Sequence, residues 1–86
     1  NEDKPPEKVK PSVMMDYAKK NDVKNLEIML KLGLPVDYRD EDTGNTPLMV
    51  ACQSGQRQAM FYLVEQGADV NAQNIYGSTP LHELIK

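Results

Sequence analysis

Gly44-Asn45-Thr46-Pro47-Leu48 returns as Gly77-Ser78-Thr79-Pro80-Leu81, and the interval from Thr46 to Thr79 is 33 residues. A fixed period of that length is the signature of a stacked-repeat architecture, in which each unit buries its apolar face against the next. The chemistry of the shared triplet explains why it recurs. A threonine hydroxyl accepts a hydrogen bond from a free amide of the first helical turn, so Thr46 and Thr79 are expected N-caps. Proline suits the first helical position, where its missing N–H would have been unpaired. Leu48 and Leu81 should then supply the first buried side chains. Gly44 and Gly77 stand where a tight turn needs a positive φ. Each copy reads turn, cap, helix start.

From Gly44 to Asn74 the chain resembles one ankyrin repeat. The resemblance rests on Gly44-Asn45-Thr46-Pro47-Leu48, then Ala51, Gly55, Leu63 and Gly67-Ala68-Asp69-Val70-Asn71-Ala72. The family's Thr-Pro-Leu-His stands intact at Thr79 to His82 and opens the next copy. The resemblance implies an all-α fold: an ankyrin-type helix-turn-helix repeat stack, an α-solenoid with short β-turn fingers.

A degenerate earlier copy extends the pattern. A shift of 34 lays Ser12 on Thr46, Met14 on Leu48, Ala18 on Cys52 and Leu26 on Met60. It also lays Met29 on Leu63, Leu30 on Val64, Gly33 on Gly67 and Val36 on Val70. The shift exceeds 33 because an extra residue lies within Asp40-Glu41-Asp42. Val13 replaces the proline, Tyr17 falls where the family favours alanine, and Pro35 falls where Asp69 sits later. Terminal repeats are commonly atypical because one face meets solvent, so this copy reads as a cap.

The same signals set the helices. Ser12 should cap a helix over 13–20, with Asn21 taking the left-handed position that Gly55 takes later. Asp22 should cap a return helix over 23–32, closed by Gly33. Its Leu26, Met29 and Leu30 follow helical spacing, and Ile28 lies off that stripe. The middle repeat should place an inner helix at 47–54 and an outer helix at 57–66. There Ala59, Met60, Leu63 and Val64 are expected inward, with Phe61 and Tyr62 on the outer rim. The third copy holds a single helix, which leaves Leu81, Leu84 and Ile85 without a second helix to bury them. The expected organisation is an arm at 1–11, then a repeat domain at 12–86 with units at about 12–40, 41–73 and 74–86. The arm carries three of the six prolines, six charged side chains and Val9 as its lone aliphatic, too little apolar surface to offset ordering. Linker and docking peptide are both open readings of it. The start at Asn1 suggests a piece of something longer, with the C-terminal face covered by further repeats or another chain.

Composition narrows the function. Charged residues at 27% and hydrophobic ones at 40% are ordinary for a globular chain. A net charge of −3 argues against a phosphate-backbone binder, and Lys19, Lys20, Lys24 and Lys31 read as a solvated helix face, so no nucleic-acid partner is expected. No apolar run reaches membrane-spanning length, so no membrane insertion is expected. One cysteine fits a reducing, intracellular setting, cytoplasmic or nuclear.

Candidate chemistry thins out on inspection. His82-Glu83 suggests a helical zinc site, but the second histidine would have to be residue 86, which is Lys86. No metal or cofactor is expected. In the resembled family this histidine is structural, bonding within and between turns. Cys52, mid-helix beside Ala51, reads as a small buried hydrophobe. Asp37, Asp40, Glu41 and Asp42 lack the glycine and terminal glutamate of a calcium loop. They read either as a solvated acidic fingertip or as a contact for a basic partner. No phosphate-cradling loop or nucleophile elbow is present, so no catalytic residue is nominated.

What the resemblance implies is a recognition scaffold, a non-catalytic protein–protein interaction module with a concave surface of inner helices and turn tips. Its variable positions map to Asp42, Thr43 and Asn45, to Gln53 and Ser54, to Ile75, Tyr76 and Ser78, and to Lys19 and Lys20. Ile75 and Tyr76 are the expected anchors, because an aromatic beside an aliphatic at a tip dominates many interfaces. Packing on a neighbouring turn is the other reading of that pair. Asn71 matches an asparagine that such repeats present for hydroxylation, with a turn-bonding role as the alternative. A regulatory or targeting domain within a larger enzyme or channel, packing on another domain of the same protein, is the rival functional reading.

Overall fold

The computed structural model describes residues 10–85, and the expectation of an arm falls for residues 1–9 outside that range. Five helices follow in order: α1 Val13–Lys19, α2 Val23–Lys31, α3 Pro47–Ser54, α4 Arg57–Glu65 and α5 Pro80–Ile85. All regular structure among the described residues is helical.

Local chemistry explains the boundaries. Thr46, with extended backbone, accepts the Met49 N–H on its Oγ1 at 3.3 Å, and Pro47 takes the first helical position. Asp22 caps α2 by accepting the Asn25 N–H. Thr79 Oγ1 accepts the His82 N–H at the start of α5. Gly55 closes α3 in the left-handed region, and Asn21 does the same after α1 with φ of 61°. Ser12 departs from expectation. Its backbone is already helical, with φ −62° and ψ −19°, and its hydroxyl makes no cap bond. A capping side chain needs extended backbone at its own residue, which Thr46 has and Ser12 lacks. The first turn is closed instead by Val13 N–H donating to the Lys10 carbonyl.

Packing runs through α3. It lies against α1 on one side, α5 on the other and its hairpin partner α4, while α2 also meets α4. Ala18, Ala51 and Ala59 are fully buried, which lets these helices approach closely. A larger side chain there would overpack the core at about 1–3 kcal/mol. Met14, Leu26, Leu48 and Leu63 fill the space between the layers, each fully or almost fully buried.

Two inward expectations fail at the α4–α5 end. Val64 is 47% exposed and Leu81 is 62% exposed, while Met60 is half-buried against the core. Phe61, expected on the outer rim, instead lines a groove with them at 72% exposure. In the preceding unit, α4 covers the corresponding side of α2. No described element covers α4 in the same way.

Candidate functional site

Two fingers project from the stack, and their backbones are pinned. In the first, Asp40 donates its N–H to the Asn45 carbonyl, and Gly44 donates to the Asp40 carbonyl. In the second, Asn74 donates to the Ser78 carbonyl, and Gly77 donates to the Asn74 carbonyl. One side chain organises each tip. The Asp40 carboxylate accepts the N–H groups of Asp42 and Thr43 at 3.0 and 2.9 Å and the Thr43 hydroxyl at 3.0 Å. Asn74 Oδ1 accepts the N–H groups of Tyr76 and Ser78 at 2.9 and 3.0 Å. Asp40 and Asn74 thus play one role 34 positions apart, while Gly44 and Gly77 stand 33 apart. The extra residue of the first finger lies within 41–43.

Cross-bonds hold the fingers side by side. Ile75 donates its N–H to the Thr43 carbonyl at 2.9 Å, and Asn74 Nδ2 donates to Asn45 Oδ1 at 2.9 Å. Arg39 donates to the carbonyls of Gln73 and Gly44. Lower down, Asp69 N–H donates to Asp37 Oδ1 at 2.9 Å. The acidic turn is therefore divided in use. Asp37 and Asp40 stitch backbone, and Glu41 and Asp42 face solvent. The Thr43 N–H, then its hydroxyl, hold the Asp40 carboxyl below the usual carboxylate range against an opposing desolvation.

The expected contact residues fall into two groups. Lys19, Lys20, Asp42, Ser54, Ile75 and Tyr76 are exposed, with Ile75 at 64% and Tyr76 at 76%. Thr43, Asn45 and Ser78 are half-buried in the finger bonding just described. The Ser78 hydroxyl oxygen is buried without a hydrogen-bond partner. Gln53 is exposed, and its Nε2 donates to Glu83 Oε1 at 3.1 Å.

In the sequence Glu83 stands out only beside His82 as a zinc-site pair, and its burial is not expected there. It is a carboxylate 6% exposed on α5 against α3. At the 33-residue shift it falls on aliphatic Val50, so the pattern gives no sign of a polar partner. Burial first, and the Glu83 charge second, push the Cys52 thiol up. A protonated, buried thiol is a poor nucleophile. His82 bonds within its own turn, its Nδ1 facing the Thr79 N–H at 3.3 Å and hydroxyl at 3.2 Å. The turn near Asn71 is held by Asp69 Oδ1 accepting the Asn71 N–H, with the Asn71 side chain outward. Among the described residues no group of three His, Cys, Asp or Glu is placed to hold a metal ion, and no helix is long and apolar enough to cross a membrane.

A family model for ankyrin repeats in three copies matches residues 14–86. The chain belongs to the ankyrin-repeat family. Ankyrin repeats are generally protein-interaction modules without catalytic activity of their own. Protein phosphatase 1 regulatory subunit 27 of Mus musculus is 40% identical over 55 residues, 64% of this chain and 35% of that protein. Rabankyrin-5 of Homo sapiens is 39% identical over 54 residues, 63% of this chain and 5% of its own length. Protein PhlB of Serratia liquefaciens is 32% identical over 75 residues, 87% of this chain and 33% of that protein. The ankyrin-repeat segment thus spans about a third or less of these relatives.

Proposed function

We propose that this ankyrin-repeat chain grips a protein partner with its finger tips and inner-helix ends, in an intracellular setting and through a repeat domain at 12–86. Ile75 and Tyr76 are the anchors, with Lys19, Lys20, Asp42 and Ser54 around them. One observation carries this reading: two large apolar side chains stand exposed on a finger whose backbone is already fixed by Asn74 and Thr43. A surface fixed before contact loses little conformational entropy on binding, so a few side chains can decide affinity. Thr43, Asn45 and Ser78 hold the tips in place, and Gln53 borders them.

The test compares affinity purification on wild-type and Tyr76→Ala baits, with mass spectrometry to identify the partner. The substitution should weaken binding by at least about 1 kcal/mol while leaving thermal stability unchanged. An unfolded variant, or one that binds equally tightly, rejects the anchor role. A second reading draws on the short share that this segment takes of its relatives. In it, the partner is another domain of a larger enzyme or channel, and the same surface regulates or targets that protein in cis.

A further inference from the structure

Arg39 and Gln73 hold the same place in two successive units. Each stands one residue ahead of the side chain that organises its finger, Asp40 in the first and Asn74 in the second. The Arg39 side chain crosses the interval between them. Its Nη1 donates to the carbonyl of Gln73, at the entry to the second finger. The same nitrogen donates to the carbonyl of Gly44 at 3.3 Å, where the first finger turns back toward α3. One guanidinium thus joins the entry and exit of the first finger to the entry of the second.

This choice of acceptors runs against the local charge. Asp37, Asp40, Glu41 and Asp42 surround Arg39 in sequence, yet among the described residues it forms an ion pair with none of them. The Asp37 and Asp40 carboxylates are turned onto backbone instead, accepting the N–H groups of Asp69, Asp42 and Thr43. A hydrogen bond from a charged donor is roughly twice as strong as a neutral one, and a guanidinium stays protonated throughout the ordinary pH range. The two links between the fingers themselves are neutral: Ile75 N–H to the Thr43 carbonyl and Asn74 Nδ2 to Asn45 Oδ1, both at 2.9 Å. The fingers approach closely where Arg39 acts, since a Cβ on Gly44 would lie 3.2 Å from the Ile75 nitrogen.

We infer that Arg39 is the positioning residue of the finger pair: it seats the second finger against the first and fixes the spacing at which Ile75 and Tyr76 are presented. It acts through the backbone of Gly44 and Gln73. With it in place, the Ile75 N–H meets the Thr43 carbonyl. Without it, each finger keeps its own turn, but the two are free to part. The value of this seating to a partner rests on the finger-tip reading above; the seating itself involves this chain alone.

Amide hydrogen exchange followed by NMR on the 86-residue chain tests it, because three amides tell the roles apart. Ile75 N–H bonds between the fingers, whereas Asn74 and Gly77 N–H bond within the second finger, to the Ser78 and Asn74 carbonyls. Arg39→Ala should speed exchange at Ile75 at least about tenfold, and leave Asn74, Gly77 and the helical amides of α3 within about twofold of wild type. Arg39→Lys should fall between the two, since an ammonium can still donate to one carbonyl. The Ile75 effect should persist at about 1 M salt, where the Debye length is about 3 Å, because the acceptors are neutral groups in contact. Unchanged exchange at Ile75 overturns the inference. So does a rise shared by Asn74, Gly77 and α3, which would make Arg39 a contributor to overall stability alone. An effect that fades with salt overturns it too, and assigns the arginine to the acidic turn. The exchange is measured on the free chain, so it stands or falls separately from the Tyr76→Ala binding test.

Discussion

Asn21, in the turn after α1, caps a helix that begins 36 residues later: its Oδ1 accepts the N–H of Ala59, in the first turn of α4, at 3.0 Å. The residue at the usual capping position, Gln56, makes no side-chain cap bond of its own. Its Nε2 instead donates to the Lys19 carbonyl at 2.9 Å, at the end of α1. Each helix end is thus completed by a side chain of the neighbouring repeat. The boundary between units carries specific bonds as well as apolar contact.

This arrangement separates two contributions at one position. Asn21→Gly keeps the left-handed backbone but removes the bonds to Ala59 and Gln58. It should cost about 1 kcal/mol in denaturant-induced unfolding. Asn21→Ala loses the same bonds and adds left-handed strain, for about 1–2 kcal/mol more. Equal costs for the two variants would assign the whole effect to the side-chain bonds.

The caps of α1 and α3 predict a contrast between similar residues. Thr46→Ala removes a buried hydroxyl that accepts the Met49 N–H and should lower stability by about 1 kcal/mol. Ser12→Ala removes a hydroxyl without a cap bond and should change stability by no more than about 0.5 kcal/mol. Thermal unfolding of both variants checks the order.

The two finger glycines should also differ. Both have positive φ, 73° at Gly44 and 77° at Gly77, so alanine is strained at either, by about 1–2 kcal/mol. At Gly77 an added Cβ meets open space. At Gly44 it would lie 3.2 Å from the Ile75 nitrogen and 3.3 Å from its Cγ2. Gly44→Ala should therefore be the more destabilising of the two, and in partner-binding assays it alone should disturb the Ile75 side chain.

Asp40 predicts a pH effect of definite sign. Its folded pKa lies below that of a free aspartate, so its contribution is fully present above the free value and fades as pH falls through the folded pKa. Unfolding followed below about pH 4 should show wild-type stability declining more steeply than that of Asp40→Asn. Parallel curves would mean that the finger does not draw on the charge.

Features coded within a few residues were legible in the sequence. Thr46, Thr79, Asp22 and Asn21 take the expected cap and turn positions, and α3 spans 47–54 as expected. The ends of α1, α2 and α4 come one residue early, where the last turn gives way to a cap. What the pattern could not place was direction. Asp40 resembles its solvated neighbours in sequence, yet turns its carboxylate onto its own finger. Val64 carries the same apolar signal as Leu63 but is 47% exposed, and Met60 packs only partly against the core. Glu83 is buried because α5 lies on α3, a relation that appears only once the units are stacked. Of the expected contact residues, exposure was legible at the tips, where the loop alone decides it. It was less so at Thr43, Asn45 and Ser78, whose partners come from both fingers.

Helix α3 meets α1, α4 and α5, and so touches a helix of every unit of the stack. Pulled from either end, the chain would give way in stages: α5 can peel off while the α1–α2 pair stays seated. A break at α3 takes its packing from α1, α4 and α5 together, and leaves the units joined only by the α2–α4 contact and the bonds between turns. Damage at the middle therefore reaches further than damage at either end.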